Sequence, residues 1–270
     1  MKRTSVALCL VMAPILLCHP AVIPARARSS GPALASASAS EITVSAAISL
    51  KDALDEIGKE YEARHAGVKV VANYGGSGTL RNQIEQGAPV DAFVSASEKD
   101  MDALNAKGLI QSDTRRDIVA NTLVLIVPAD RDSGIHDFAD LAGAQVKTVA
   151  VGEPNTVPAG MYAQQAFAAL GLTAAVHGKL VLAKDVRQAL TYVATGNADA
   201  GVVYSTDART TSKVRVAATA PANSHDPIVY PAAVLKSAHD AVAARALVEY
   251  LGADDAKAIF QKYGFTIPPQ

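Results

Sequence analysis

After residue 41, apolar residues fall along the chain in two alternating rhythms. Short β-rich runs read as strands: Ile42–Ala46, Val68–Ala72, Val90–Val94, Thr122–Val127, Thr148–Val151, Leu180–Leu182, Ala200–Tyr204, Val214–Ala217 and Ile228–Val234. Between them, apolar positions recur at helical spacing, as in Leu50/Ala53/Leu54/Ile57, Ala163/Ala166/Phe167/Leu170, Val186/Ala189/Leu190/Val193 and Ala256/Ile259/Phe260/Tyr263. Strands that alternate with helices predict an α/β fold built on mainly parallel sheets flanked by helices. Two polar stretches, Pro128–Asp140 and Thr206–Lys213, interrupt the alternation. They predict a second lobe inserted into a first, with residues 41–120 plus 214–270 in lobe 1 and residues 121–213 in lobe 2.

A different pattern precedes residue 41. Lys2 and Arg3 lead into an apolar run from Ser5 to Cys18, broken by Pro14, and small-residue sites follow at Ala25-Arg26-Ala27 and Ala33-Leu34-Ala35. That order predicts a signal peptide over residues 1–27, with cleavage between 27 and 39, and a mature chain exported to the periplasm. A buried N-terminal helix is the competing reading. The Ser/Ala-rich stretch 28–40 argues against it, because a linker of that composition would detach such a helix. Both cysteines, Cys9 and Cys18, fall inside the signal, and Leu17 before Cys18 disfavours a lipid anchor. The cleaved chain then has no thiol for a disulfide, a nucleophile or a metal site.

Cleavage at 27 removes Lys2, Arg3 and Arg26, leaving 22 basic residues of the original 25 against 26 acidic ones, a net charge of −4. Such a chain carries no field that would gather nucleic acid or an anionic membrane. No later apolar run is long enough to cross a bilayer. The mature protein is expected to be a soluble monomer. If the protein binds an anion, local dipoles must hold it.

Open α/β sheets bind ligands where strands end and helices begin, and four such junctions stand out. Ile42–Ala47 runs into Ser49-Leu-Lys-Asp52, where Ser49 reads as a helix N-cap with Asp52 closing a capping box, or as a hydroxyl facing a cleft. Val68–Tyr74 runs into Gly75-Gly76-Ser77-Gly78-Thr79, a flexible loop or an anion-binding nest of backbone amides. Thr79 and Arg81 stand where a nucleophile elbow and a dinucleotide fingerprint need glycine, and no Gly-Lys-Ser/Thr phosphate loop follows. Asn155-Thr-Val-Pro158-Ala159-Gly160 sets proline in a first helical turn, which leaves the amides of Ala159 and Gly160 as candidate donors. Lys184-Asp185-Val186-Arg187 opens a further helix, with Asp185 as N-cap and Val186 offering an amide. Tyr204 ends a strand, its hydroxyl either in water or donated into a cleft. His65, His136, His177, His225 and His239 show no metal-ligand spacing. No cofactor is expected.

At these junctions the chain resembles the periplasmic molybdate-binding proteins of ABC-type importers, from about Glu41 to Ile267. The matching stretches include Ile42-Thr-Val-Ser-Ala-Ala-Ile-Ser49-Leu, Gly76-Ser77-Gly-Thr-Leu80, Gln86-Gly-Ala-Pro-Val-Asp91, Val157-Pro-Ala159-Gly160, Asp185-Val186-Arg187, Gly201-Val-Val-Tyr204 and Tyr263-Gly-Phe-Thr-Ile267. The resemblance implies two lobes joined by two crossover strands and closing on molybdate or tungstate, with a membrane permease as partner. It implies Ser49 and Ser77 as hydroxyl and amide donors from one lobe, Ala159 and Val186 as amide donors from the other, and Tyr204 as a phenolic donor. Ile48 stands where the pattern has alanine, and glycines flank Ser77 where some relatives carry serines.

Two other readings remain open. One is a receptor for a different oxyanion: sulfate, phosphate or a sulfonate. The other is a secreted serine hydrolase using Ser49 or Ser77, which would need a histidine and an acid, such as His225 and Asp226, brought to either serine.

Overall fold

The computed structural model describes residues 40–130 and 133–268. The expected signal peptide, both cysteines and the linker up to residue 39 lie outside the described residues.

The chain alternates strands and helices in the order β1 (Ser40–Ala47), α1 (Lys51–Arg64), β2 (Val68–Gly75), α2 (Ser77–Glu85), β3 (Ala92–Val94), α3 (Glu98–Ala106), β4 (Arg116–Ala120) and β5 (Leu123–Pro128). After residue 133 come β6 (Val149–Gly152), α4 (Pro158–Ala169), α5 (Thr173–His177), β7 (Leu180–Ala183), α6 (Val186–Ala194), β8 (Ala200–Tyr204), α7 (Ser205–Ala208), β9 (Val214–Thr219), β10 (Val229–Val234), α8 (Ala241–Leu251) and α9 (Asp254–Lys262).

Two five-stranded sheets result, in the orders β2-β1-β3-β10-β4 and β7-β6-β8-β5-β9. This is the two-lobed α/β architecture expected from the alternation. In each sheet three parallel strands are extended through two successive antiparallel pairings, so both sheets are mixed. The antiparallel pair in each sheet is where the chain leaves one lobe and returns from the other. β4 passes into β5 through Asn121 and Thr122, and β9 passes into β10 through residues 220–228. The two crossovers are tied together by Asn121 N–H donating to the Ile228 carbonyl at 3.0 Å.

Two expectations change. β4 was not legible as a strand: Arg116-Asp117 opens it with polar residues, and antiparallel pairing with the distant β10 gives it its conformation. The first lobe does not resume at 214, because β9 pairs with β5 in the second sheet, and the return follows Thr219. The polar stretch 206–213 therefore lies within the second lobe, where it runs from α7 into β9.

The C-terminal segment closes the first lobe. α8 packs on β10 and β1, and α9 packs on α1 and β4. Beyond α9, Thr266 exchanges backbone hydrogen bonds with Ala120 at 2.7 and 3.0 Å, which pins the first crossover. Asp91 is buried, and its carboxylate accepts from the amides of Thr43 and His239, each at 2.7 Å. The Gln86–Asp91 motif thus serves the scaffold of this lobe.

Candidate functional site

Ser49, Ser77, Ala159, Val186 and Tyr204 line one cavity between the lobes, although 155 residues of chain separate the first from the last. The cavity holds about 200 Å³ of empty space, its open mouth included, and Ile48, Gly76, Ala96, Val157 and Pro158 complete most of its wall. All of its lining residues are uncharged.

Three helices aim their N-termini here. Ser77 and Val186 are the first residues of α2 and α6, and Ala159 follows Pro158 at the start of α4. First-turn amides have no acceptor within their own helix, and none of these three donates to another backbone group among the described residues. The Ser49 amide, in the 3-10 turn Ile48–Leu50, also has no backbone acceptor. Converging helix N-termini put positive potential at the cavity without a cationic side chain. The reading for Gly160 changes: its N–H donates to the Val157 carbonyl at 2.9 Å, so Ala159 alone offers an amide from that pair.

The hydroxyls are held with equal definition. Ser77 Oγ accepts from the Ala96 amide at 2.9 Å, which occupies a lone pair and leaves its proton to be donated elsewhere. Ser49 is not the N-cap of α1. That position is Leu50, which makes no side-chain cap bond, and Asp52 closes no capping box. Instead Ser49 Oγ lies 3.0 Å from Tyr230 Oη. Tyr204 does not end in water: the side chain is buried, and its hydroxyl has no hydrogen-bond partner among the described residues. Burial holds the Tyr204 phenol well above its ordinary pKa, so the hydroxyl keeps its proton.

The lobes also meet outside the cavity. Arg187, beside Val186, donates from Nη2 to Asp52 of α1 at 2.8 Å and from Nε to Asp207 of α7. Asp207 is wholly buried, and burial raises its carboxyl to about 6 despite the adjacent guanidinium. Gly78 N–H donates to the Thr156 carbonyl at 3.0 Å. A Cβ at Gly76 would stand 2.8 Å from the Thr156 carbonyl oxygen, and one at Gly78 would stand 2.8 Å from Thr156 Cα. The glycines flanking Ser77 therefore make room for the opposite lobe.

The residues that a hydrolase would need are elsewhere in the bonding scheme. His225 Nδ1 pairs with the Asp226 carbonyl, and the Asp226 carboxylate accepts from Gln165 at 2.7 Å. Ser49 and Ser77 are bonded to Tyr230 and Ala96 instead.

Residues absent from the sequence reading stand behind Ser49. Asn121 Nδ2 lies 3.2 Å from Tyr230 Oη, and the two residues are 109 positions apart. No local pattern signals such a pair; it exists because both crossovers pass the same point.

The chain matches the family model for bacterial extracellular solute-binding proteins over residues 42–266. It is 44% identical to the putative ABC transporter substrate-binding lipoprotein YvgL of Bacillus subtilis, covering 83% of this chain and 86% of that one. It is 40% identical to the molybdate-binding protein ModA of Haemophilus influenzae, covering 85% and 91%. In structure it resembles the periplasmic molybdate-binding protein of Azotobacter vinelandii, with a TM-score of 0.75, 27% identity, and coverage of 84% of this chain and all of that one.

Proposed function

Since the chain belongs to the bacterial extracellular solute-binding protein family, we propose that it captures molybdate or tungstate between its lobes and delivers the anion to the membrane permease of an ABC importer. The reading includes export to the periplasm and action as a soluble monomer, with no cofactor and no catalysis. The bound species is the oxyanion, held through its oxygens, with no direct bond from protein to molybdenum.

The observation that carries the proposal is a cavity without charged side chains, where unpaired amides of Ser49, Ser77, Ala159 and Val186 converge with the unpartnered hydroxyl of Tyr204. Molybdate is a dianion with four acceptor oxygens and no proton near neutral pH. Fixed donors and helix N-termini in a dry cleft supply what it needs. A phosphate that retains a proton needs an acceptor, and a set made only of donors leaves that proton unpaired. Sulfate needs the same donors at shorter reach, so its exclusion rests on cavity size, to which Ile48 contributes.

Thermal melting with and without molybdate tests the assignment. Ligand at about 100 times its Kd adds about 2.7 kcal/mol of stability. No rise in melting temperature with millimolar molybdate or tungstate would refute it.

A further inference from the structure

Asn121 occupies the first crossover, and all four of its hydrogen-bonding positions are in use. Its Oδ1 accepts from Thr122 N–H at 2.9 Å and from Ser205 Oγ at 3.1 Å. Its Nδ2 donates to Thr206 Oγ1 at 2.9 Å and to Tyr230 Oη at 3.2 Å. A backbone N–H can only donate, so the Thr122 amide fixes which end of the Asn121 side chain is oxygen. Nδ2 is therefore the end that meets Tyr230.

This orientation propagates. Tyr230 is 0% exposed, its ring packed edge-on against Phe265 and Tyr204 at centroid distances of 5.6 and 6.0 Å. Among the described residues its hydroxyl has two hydrogen-bonding neighbours, Asn121 Nδ2 and Ser49 Oγ. It accepts from the first, so its own proton has one destination, Ser49 Oγ. The reverse arrangement, with Ser49 donating to Tyr230, would leave the phenolic proton buried and unpaired. Ser49 Oγ thus accepts, and its proton is free to point away from Tyr230, toward the cavity that Ser49 lines.

We propose that Asn121 and Tyr230 are positioning residues that set the direction of the Ser49 proton. They make Ser49 a donor to the bound anion and occupy one of the two lone pairs on which it could receive an acidic proton from a ligand. The inference rests on the reading under Proposed function and deepens it, because it names residues at the crossover as a source of selectivity for anions that carry no proton. The chain of donors runs from the Thr122 amide through Asn121 and Tyr230 to Ser49. Asn121 lies on the segment that joins the two sheets, so the serine is oriented from the connection between the lobes.

The test is a double-mutant cycle of Tyr230→Phe with Ser49→Ala, read with molybdate and with inorganic phosphate at a pH where phosphate retains a proton. Tyr230→Phe lowers molybdate affinity on the order of tenfold, the loss expected for one poorly oriented bond to a charged group. It lowers phosphate affinity less, because Ser49 regains a free acceptor, and the molybdate-to-phosphate ratio contracts. In the Ser49→Ala background the same change has little further effect on either anion. Asn121→Ala supplies a second cycle that leaves the Tyr230 ring in place, with the same sign and a smaller effect. Equal losses for both anions, or losses undiminished in the Ser49→Ala background, would overturn the proposal by reducing Tyr230 to a packing residue. Failure of the parent chain to bind molybdate would instead refute the functional reading itself.

Discussion

Gly78 in the first lobe donates its backbone N–H to the Thr156 carbonyl of the second at 3.0 Å, beside the cavity wall formed by Ser77 and Val157. The contact exists because residue 78 has no side chain: a Cβ would lie 2.8 Å from Thr156 Cα. Contact between the lobes and the identity of one residue are thereby linked.

Gly78→Ala is expected to hinder closure without harming the first lobe. Overpacking of this kind costs on the order of 1–3 kcal/mol, here paid only in the closed form. Alanine is the better helix former, so the unliganded chain should melt at or above the parent temperature. Melting curves with and without molybdate check this: a normal unliganded transition should accompany a reduced ligand-induced rise.

Arg187 separates two kinds of ion pair. Its partner Asp207 is wholly buried, while the Asp52 side chain is 41% exposed. Arg187→Met strands a buried carboxylate and should cost about 3–5 kcal/mol of stability. Asp52→Asn removes only the bond across the cleft and should cost at most about 1 kcal/mol, expressed in ligand affinity. Urea unfolding of the two unliganded variants should separate them clearly.

The raised carboxyl of Asp207 gives stability a pH dependence of defined sign. Its folded pKa of about 6 exceeds the ordinary value of 3.8, so the folded chain binds more protons than the unfolded chain between those values. This contribution is fully present below about pH 4 and is lost as pH rises through about 6, on the order of 2–3 kcal/mol in total. Chemical denaturation at several pH values, parent minus Asp207→Asn, isolates it. The difference should fall toward neutral pH, and a rise would mean that Arg187 outweighs burial.

Tyr204→Phe should move stability and affinity in opposite directions. The hydroxyl has no partner among the described residues, so its removal relieves a buried unsatisfied group and leaves the unliganded protein as stable as the parent or more so. Molybdate should lose a donor and about 1.5–3 kcal/mol of binding. Because burial keeps this phenol protonated, parent affinity should stay flat from about pH 7 to 9. Titrations of both proteins across that range check both statements.

The alternation of β-rich runs with helical stripes carried the α/β class, and the resemblance at the strand-to-helix junctions pointed to Ser49, Ser77, Ala159, Val186 and Tyr204, which line one cavity. What stayed hidden was long-range. β4 is a strand because β10 lies beside it, and β9 joins β5 although a polar stretch precedes it. Ser49 carries the local signature of a cap, yet Tyr230, 181 residues away, takes its hydroxyl. The glycines around Ser77 read locally as freedom for the backbone, whereas much of their purpose is clearance for Thr156. Local spacing reports which residues begin helices, but it does not report what the opposite lobe places against them.

Calorimetry on the chain lacking residues 1–27, with molybdate, tungstate, sulfate and phosphate at equal ionic strength, tests the central claim most directly. The account predicts one molybdate or tungstate per chain, bound far more tightly than sulfate or phosphate, because an uncharged cavity faced by backbone amides and hydroxyls suits a dianion that carries no proton. Sulfate or phosphate binding as tightly as molybdate would contradict it.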